Sequence, residues 1–434
     1  MDFNTKLEAI TDNTLIVGID VAKKSHVARA FDNRGVELCK TIRFDNSREG
    51  FDSFIAHIEG LKAQHMKSDI IIGLEPTGVY GHVLIAYLKC EGYNVVYILG
   101  MQVKRAKELE DNSPSKNDHK DAKVIAMLMK DGYYRKIRIF TEEIAELREA
   151  TRFAYQLTKK LVRVKCQIQD CLTEYFPEFT TAFLSVFKNV KSSKCPDASK
   201  TAMATLRMFP LPEQLNALTA EQIVLAWREA GVIKGIGIKK AQQLKQLAGN
   251  TIGLKATESI RIKIKALMDE YDLLAGQEKE IWRRIETLAR GNSDFQAIMG
   301  IPHVTVRLAA YLLAEVGDFR DFDHPQQLVR LAGLNLKENS SGKRRGASEI
   351  TKRGRPALRR ALYFLVLEQL KWAAPGWYQL HKYYTTREKN PLKKMQSVTA
   401  LCCKFLRVVW GMLKNGAPYD PGLLMRKAPH TKSA

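Results

Sequence analysis

Two aspartates three residues apart, Asp118 and Asp121, stand in the stretch Lys-Asn-Asp-His-Lys-Asp-Ala at residues 116–122. The stretch opens a predicted helix that runs to about Lys130. Residues three apart share a helix face. Ala122, Ile125, Ala126 and Met129 continue that face as an apolar stripe. The stripe turns the two carboxylates toward a core, where unpaired charge is costly. A bound divalent cation removes that cost. Read alone, the pair also fits a solvated helix start, where acids favour the helix dipole. Two further carboxylates upstream, Asp20 and Glu75, tip the reading toward the cation.

The elements that must position these acids follow from the pattern around them. Residues 15–21 (Leu-Ile-Val-Gly-Ile-Asp-Val) read as a buried strand carrying Asp20. Residues 27–31 and 36–44 read as two more strands with a turn at 32–35, an antiparallel meander. A helical pattern at 51–61 precedes a short apolar strand at 69–74, with Glu75 just past its end. Pro76-Thr77-Gly78 breaks that strand before a helix to about Cys90. Residues 94–99 form another core strand, followed by a basic segment at 101–107. The order β-β-β-α-β-α-β-α is that of a ribonuclease-H-like α/β fold. In such folds the end of the first strand, the end of the fourth and the helix after the fifth converge on one sheet edge. Four carboxylates there would hold two Mg2+ ions, which activate a nucleophile and stabilise the leaving oxygen in phosphodiester transfer.

The totals suit that chemistry. The chain has 434 residues and a formal net charge of +22, which points to a polyanionic partner. No apolar run has the length of a membrane span, and residues 1–13 do not read as a signal peptide. Nucleic acid is therefore the expected partner, with no membrane. The seven cysteines are scattered and odd in number. They suit reduced thiols in a cytoplasmic protein and argue against a zinc module.

From Glu142 the pattern changes. Leu147, Ala150, Ala154, Leu157, Leu161, Val164, Ile168, Cys171 and Tyr175 form a heptad seam. A second seam runs through Ile260, Ile264, Leu267, Tyr271, Leu274, Ile281, Ile285 and Leu288, with polar Glu278 in one core slot. The two long helices pair with each other or with another subunit, and a homo-oligomer is expected. Between them, residues 234–241 (Lys-Gly-Ile-Gly-Ile-Lys-Lys-Ala) resemble a helix-hairpin-helix turn. Lys239 and Lys240 there can meet a DNA phosphate. Residues 299–315 look like a degraded second copy, with Pro302 and His303 in its turn.

The densest charge comes last. Lys343, Arg344, Arg345, Lys352, Arg353, Arg355, Arg359 and Arg360 crowd one stretch opposed only by Glu349. Pro356 suits a helix first turn, and arginines around a helix start fit phosphate contacts. Just upstream lies Asn339-Ser340-Ser341-Gly342. A serine before glycine, among arginines that stabilise transition-state charge, is a candidate nucleophile on a phosphodiester. The same residues also fit a plain turn.

Several of these stretches together resemble one family. They are Gly18-Ile19-Asp20-Val21, Glu75-Pro76-Thr77-Gly78, Lys116-Asn117-Asp118 with Asp121-Ala122, Leu331-Ala332-Gly333-Leu334, Ser341-Gly342, Arg345-Gly346-Ala347-Ser348, Thr351-Lys352-Arg353-Gly354 and Leu358-Arg359-Arg360-Ala361-Leu362-Tyr363. In this order they resemble the DEDD-type bacterial insertion-sequence transposases of the IS one-ten family. The similarity runs from about Leu15 to Asp420. Asn117 replaces a common Thr, Leu99-Gly100 stands where Asn-Pro is frequent, and the helix-hairpin-helix at Gly300 is imperfect.

The resemblance implies a RuvC-like metal-binding domain over residues 1–140. It implies a coiled-coil and helical linker over 141–291 and a mainly helical C-terminal transposase domain over 292–434. It implies that Asp20, Glu75, Asp118 and Asp121 bind Mg2+, and that Ser341 attacks the DNA to form a phosphoserine link. The choice of Ser341 over Ser340 rests on the following glycine and the spacing from Gly333. The partners implied are donor and target double-stranded DNA and a structured non-coding bridge RNA that pairs with both. The assembly implied is a tetramer built from dimers, in which one subunit's RuvC-like domain completes a site with another's serine domain. The alternative is a metal-dependent nuclease or junction resolvase in which water attacks. A non-enzymatic assembly protein would need none of the four acids.

Overall fold

Six of the seven residues of β1 (Thr14–Asp20) are buried, so both faces of this strand must be covered. The structure, a computed structural model, describes residues 3–75, 78–111, 118–138, 140–183, 187, 198–337, 340–341, 344–345 and 349–425. At 110, 111, 118, 119, 198, 199, 340, 341, 344, 345 and 425 it describes the backbone alone. The chain divides into two compact units, Met1–Ile139 and Phe140–Ala434.

In the first unit α1 (Phe3–Glu8) precedes β1. There follow β2 (Ser25–Phe31), β3 (Ile42–Asp45), α2 (Arg48–Gln64), β4 (Asp69–Leu74), α3 (His82–Cys90), β5 (Asn94–Tyr97), α4 (Gly100–Asp111), α5 (Asp118–Lys130) and β6 (Arg135–Lys136). The sheet order is β3-β2-β1-β4-β5-β6. β1, β2 and β3 form an antiparallel meander, β4 and β5 add parallel to β1, and β6 closes the edge antiparallel. This mixed sheet is consistent with a ribonuclease-H-like domain. The third strand is shorter than residues 36–44 suggest. The Asp32 carboxylate accepts from the Arg34 and Val36 amides at 3.0 and 2.7 Å. That turn leaves Glu37 with an isolated bridge to Phe31.

Alternation along the strands sorts the two faces. Leu15, Val17 and Ile19 of β1 and Ile70, Ile72 and Leu74 of β4 pack under α2 and α3. Ile16 and Ile71 lie on the other face beneath Ile125, Ala126 and Met129 of α5 and Val103 of α4. On that second face Gly18 pairs in register with Gly73. A side chain on Gly18 would collide with the backbone of Ala122 and Ala126, and one on Gly73 with Met129. The two glycines make a groove in which α5 rests on the sheet backbone. The stripe expected from the sequence lies in it, with Ala122, Ile125, Ala126 and Met129 fully buried.

The second unit is built on α6 (Glu142–Tyr175). Five short helices follow: α7 (Phe179–Ala182), α8 (Ala198–Met208), α9 (Pro212–Asn216), α10 (Ala220–Glu229) and α11 (Ile238–Gly249). Then come α12 (Glu258–Arg290), α13 (Ser293–Met299), α14 (Val306–Val316), α15 (Pro325–Ala332), β7 (Ser340–Ser341), β8 (Arg344–Arg345), α16 (Pro356–Lys371), α17 (Trp377–Thr386), α18 (Lys394–Asn415) and α19 (Gly422–Met425). α6 and α12 pack antiparallel within one chain. Leu157–Leu172 meets Ile264–Leu274 in a core shared with α7–α11. Ile144–Ala154 meets Trp282–Ala289 in a core shared with α13–α18. The two heptad seams therefore close on each other. Glu278 is tolerated in its slot because it accepts from the Thr158 hydroxyl at 3.0 Å and lies 3.7 Å from Arg307.

Between α15 and α16 the chain forms a hairpin. Leu336 bridges Ile350, the Lys337 amide donates to Glu349 at 2.7 Å, and Ser341 pairs with Arg344 near the tip. Gly333 and Gly354 clamp the base: a side chain on either would enter the other's backbone. Glu315 on α14, 1% exposed, holds the same base through Arg355. Arg152 Nε lies 3.1 Å from its carboxylate, Arg148 3.7 Å and Arg355 3.8 Å, and Arg355 also donates to the Glu315 carbonyl.

Two outcomes follow for stability. Gly18→Ala should force α5 off the sheet and cost about 1–3 kcal/mol in denaturant unfolding; Gly60→Ala, with open space around it, serves as the comparison. Glu315→Ala should crowd three guanidiniums without their shared carboxylate and cost about 3 kcal/mol or more in the same measurement.

Candidate functional site

Asp20 ends β1 and follows Ile16 and Gly18 on the face that α5 covers. The β1–β4 register runs through Gly18↔Gly73 and Ile19↔Leu74. Continued by one residue, it sets Asp20 level with Glu75. Each acid lies two residues past a groove glycine, so each belongs to the α5 face. Asp121 precedes Ala122, the residue whose carbonyl sits against Gly18. Strand register and one helix contact thus bring Asp20, Glu75 and Asp121 to the same sheet edge. Asp118 begins α5, one turn before Asp121, and its side chain lies outside the described residues.

The electrostatics of this edge leave room for a cation. Asp121 is 8% exposed, and its Oδ1 is buried without an aligned hydrogen-bond donor. The Lys107 ammonium faces that oxygen as an ion pair. Burial pushes the Glu75 carboxyl above its ordinary range; Lys107 opposes that shift and the Asp121 charge adds to it. Two desolvated carboxylates that feel each other, with a deeply buried oxygen between them and a cation, fit a hard divalent ion. Among the described residues no three acidic, His or Cys side chains are already assembled as a metal cage. Glu75 lies against Gly100, the first residue of α4, where any side chain would strike its Oε1. Glycine at 100 is what leaves room for the acid.

Ser341 is placed by its backbone beside the tip of the hairpin, opposite Arg344. Its side chain, those of Ser340, Arg344 and Arg345, and Lys343 entirely, lie outside the described residues, as do Pro76-Thr77, Lys116-Asn117, Gly342 and residues 346–348.

The expected phosphate contacts divide into two groups. Lys239, Lys352 and Arg353 are exposed. Four others are engaged in packing. Arg355 holds Glu315, and Arg359 donates to the Ala332 carbonyl at 2.8 Å. Arg360 lies 3.8 Å from the centre of the Tyr155 ring. Lys240 donates to the Ala182 carbonyl, 5.0 Å from the Phe183 ring. Each of these four head groups has a partner inside the unit and is partly exposed. His303 takes a left-handed turn conformation at φ 61° and stacks on Trp372, its ring centre 5.8 Å away.

The sequence reading passed over Lys107, Gly73 and Glu315. A signal for the glycine was present: Gly18-Ile19-Asp20 and Gly73-Leu74-Glu75 are the same glycine–apolar–acid pattern in two adjacent strands.

Comparison with known proteins gives the chain's family. A family model described as "Transposase", of the DEDD type, matches residues 17–177, and one described as "Transposase IS116/IS110/IS902 family" matches residues 295–384. Together they cover more than half of the chain. The insertion element IS116 uncharacterized 44.8 kDa protein of Streptomyces clavuligerus is 24% identical, over 93% of this chain and 96% of the relative. The insertion element IS110 uncharacterized 43.6 kDa protein of Streptomyces coelicolor is 21% identical, over 94% of this chain and 96% of the relative. A transposase for insertion sequence element IS1111A from Coxiella burnetii is 27% identical over 30% of this chain and 38% of its own length. With both of the family's domains matched in order and its relatives aligned nearly end to end, the chain belongs to the IS110/IS116 family of transposases, enzymes of DNA strand transfer.

Proposed function

We propose that this transposase is an RNA-guided recombinase that cuts and rejoins donor and target DNA through a covalent bond to Ser341. The observation that carries the reading is the hairpin: it sets Ser341 opposite Arg344, on a stem clamped by Gly333 and Gly354. A nucleophile must be held in place to meet phosphorus in line. In the step, the Ser341 oxygen bonds to phosphorus as the phosphorus–O3′ bond breaks, and the 3′ oxygen leaves as a hydroxyl. The ester on Ser341 keeps the energy of the broken phosphodiester. A new 3′-hydroxyl can then displace the serine without a nucleotide cofactor.

Asp20, Glu75, Asp118 and Asp121 are the residues that would hold Mg2+, two ions in a composite site. Bound there, the metal supplies charge stabilisation to the attacking and leaving oxygens. What supports this is the common sheet edge of the acids and the desolvation of Glu75. The RuvC-like domain is assigned to residues 1–140, the coiled-coil and helical linker to 141–291 and the serine domain to 292–434. Exposed Lys239, Lys352 and Arg353 and the net charge of +22 favour phosphate contacts, with DNA and with a structured bridge RNA. The active form is a homo-oligomer, a tetramer built from dimers. The seams of α6 and α12 are used within the chain, so subunit contacts fall to outward residues such as Val162, Ile262 and Leu273, each more than half exposed.

The test is a denaturing gel of protein, Mg2+, element-end DNA and RNA transcribed from the element's flanking non-coding segment. Wild-type protein should give a covalent protein–DNA species that requires the RNA, and Ser341→Ala should give none. Cleavage without adduct, unchanged in Ser341→Ala, would instead make the chain a metal nuclease with water as nucleophile.

A further inference from the structure

We infer that Lys107 is an internal competitor for the metal: its ammonium holds the cation position at Asp121 and Glu75, and a divalent ion binds only when that side chain withdraws. The inference rests on the metal reading of the four acids. α4 carries a basic run in which Lys104 and Arg105 are exposed. Lys107 differs. It shares a helix face with Gly100 and Val103, three and four residues apart in turn. Gly100 packs on Glu75 and Val103 is buried under the sheet, so this face is the inward one. Lys107 reaches Asp121 from there, with its side chain 23% exposed.

Two facts give the pair its consequence. Asp121 is desolvated, so its charge must be matched by whichever cation is present. Lysine is a point charge on a flexible four-carbon stem, able to match the carboxylate and to leave it. Apparent metal affinity is then lowered by the fraction of molecules in which Lys107 has withdrawn. A neutral side chain at 107 removes that competition. Arginine, whose fork grips a carboxylate through two donors, strengthens it.

The experiment is an electron paramagnetic resonance titration of Mn2+ into the full chain without nucleic acid, at one pH. It compares wild type, Lys107→Met, Lys107→Gln and Lys107→Arg, with Asp121→Asn to identify the site. Lys107→Met and Lys107→Gln should bind Mn2+ about tenfold more tightly or better, and Lys107→Arg more weakly than wild type. Each variant's melting curve without metal reports folding, and the Gln variant reads the effect if the Met variant does not fold. If Asp121→Asn abolishes a wild-type site whose affinity Lys107→Met leaves unchanged or weakens, Lys107 is not a competitor and the metal reading stands. If neither wild type nor the neutral variants bind Mn2+, both readings fall.

Discussion

The contact between the backbone of α5 and the backbone of β1 at Gly18 governs the candidate site. Helices normally stand off a sheet by the length of the side chains between them. Here Gly18 and Gly73, neighbours in the β1–β4 register, remove those side chains, and Ala122 and Ala126 are small enough to fill the gap. The consequence reaches one residue beyond Ala122 and two beyond each glycine. It draws Asp121 down to the edge where Asp20 and Glu75 emerge. A methyl group at Gly18 would lift the helix and its acid away from the strand acids, whereas one at Gly73 would meet the Met129 side chain.

Charge is handled differently in the two units. In the first, carboxylates are gathered where burial is unfavourable to them, as the raised Glu75 shows, and Lys107 pairs with Asp121 at that edge. In the second, the surplus is positive, and part of it is absorbed into the scaffold. Arg148, Arg152 and Arg355 surround Glu315, and Arg360 lies on Tyr155. Many cations remain at the surface, and arginines that look alike in sequence have different contacts. Arg353 is exposed, while two residues later Arg355 fixes the end of the serine hairpin to α14.

The sequence carried what local rules dictate. Short continuous apolar runs defined β1 and β4, the latter at its observed limits Asp69–Leu74. Period 3.6 defined the buried stripe of α5 and both long helices, since those patterns need no knowledge of the partner. What required the partner was not readable. The heptad seams fix that α6 and α12 present apolar faces, yet not that the two faces meet in one chain. The contacts of Arg355, Arg359, Arg360 and Lys240 are with groups 27 to 205 positions away in sequence. Lys107 read as one member of a basic run because only the fold turns it inward. Residues 36–44 were too long as a strand because a single carboxylate, Asp32, caps the turn before them.

The decisive measurement is metal-directed backbone cleavage. Fe2+ is bound in place of Mg2+, and ascorbate with peroxide makes hydroxyl radicals that cut the chain beside the metal. If the acids share one cation site, cuts should fall together at the end of β1, just after β4 and around residues 118–121, and Mg2+ should suppress all three in parallel. Cuts confined to one of these segments, or scattered and indifferent to Mg2+, would show that the glycine groove does not build a common site.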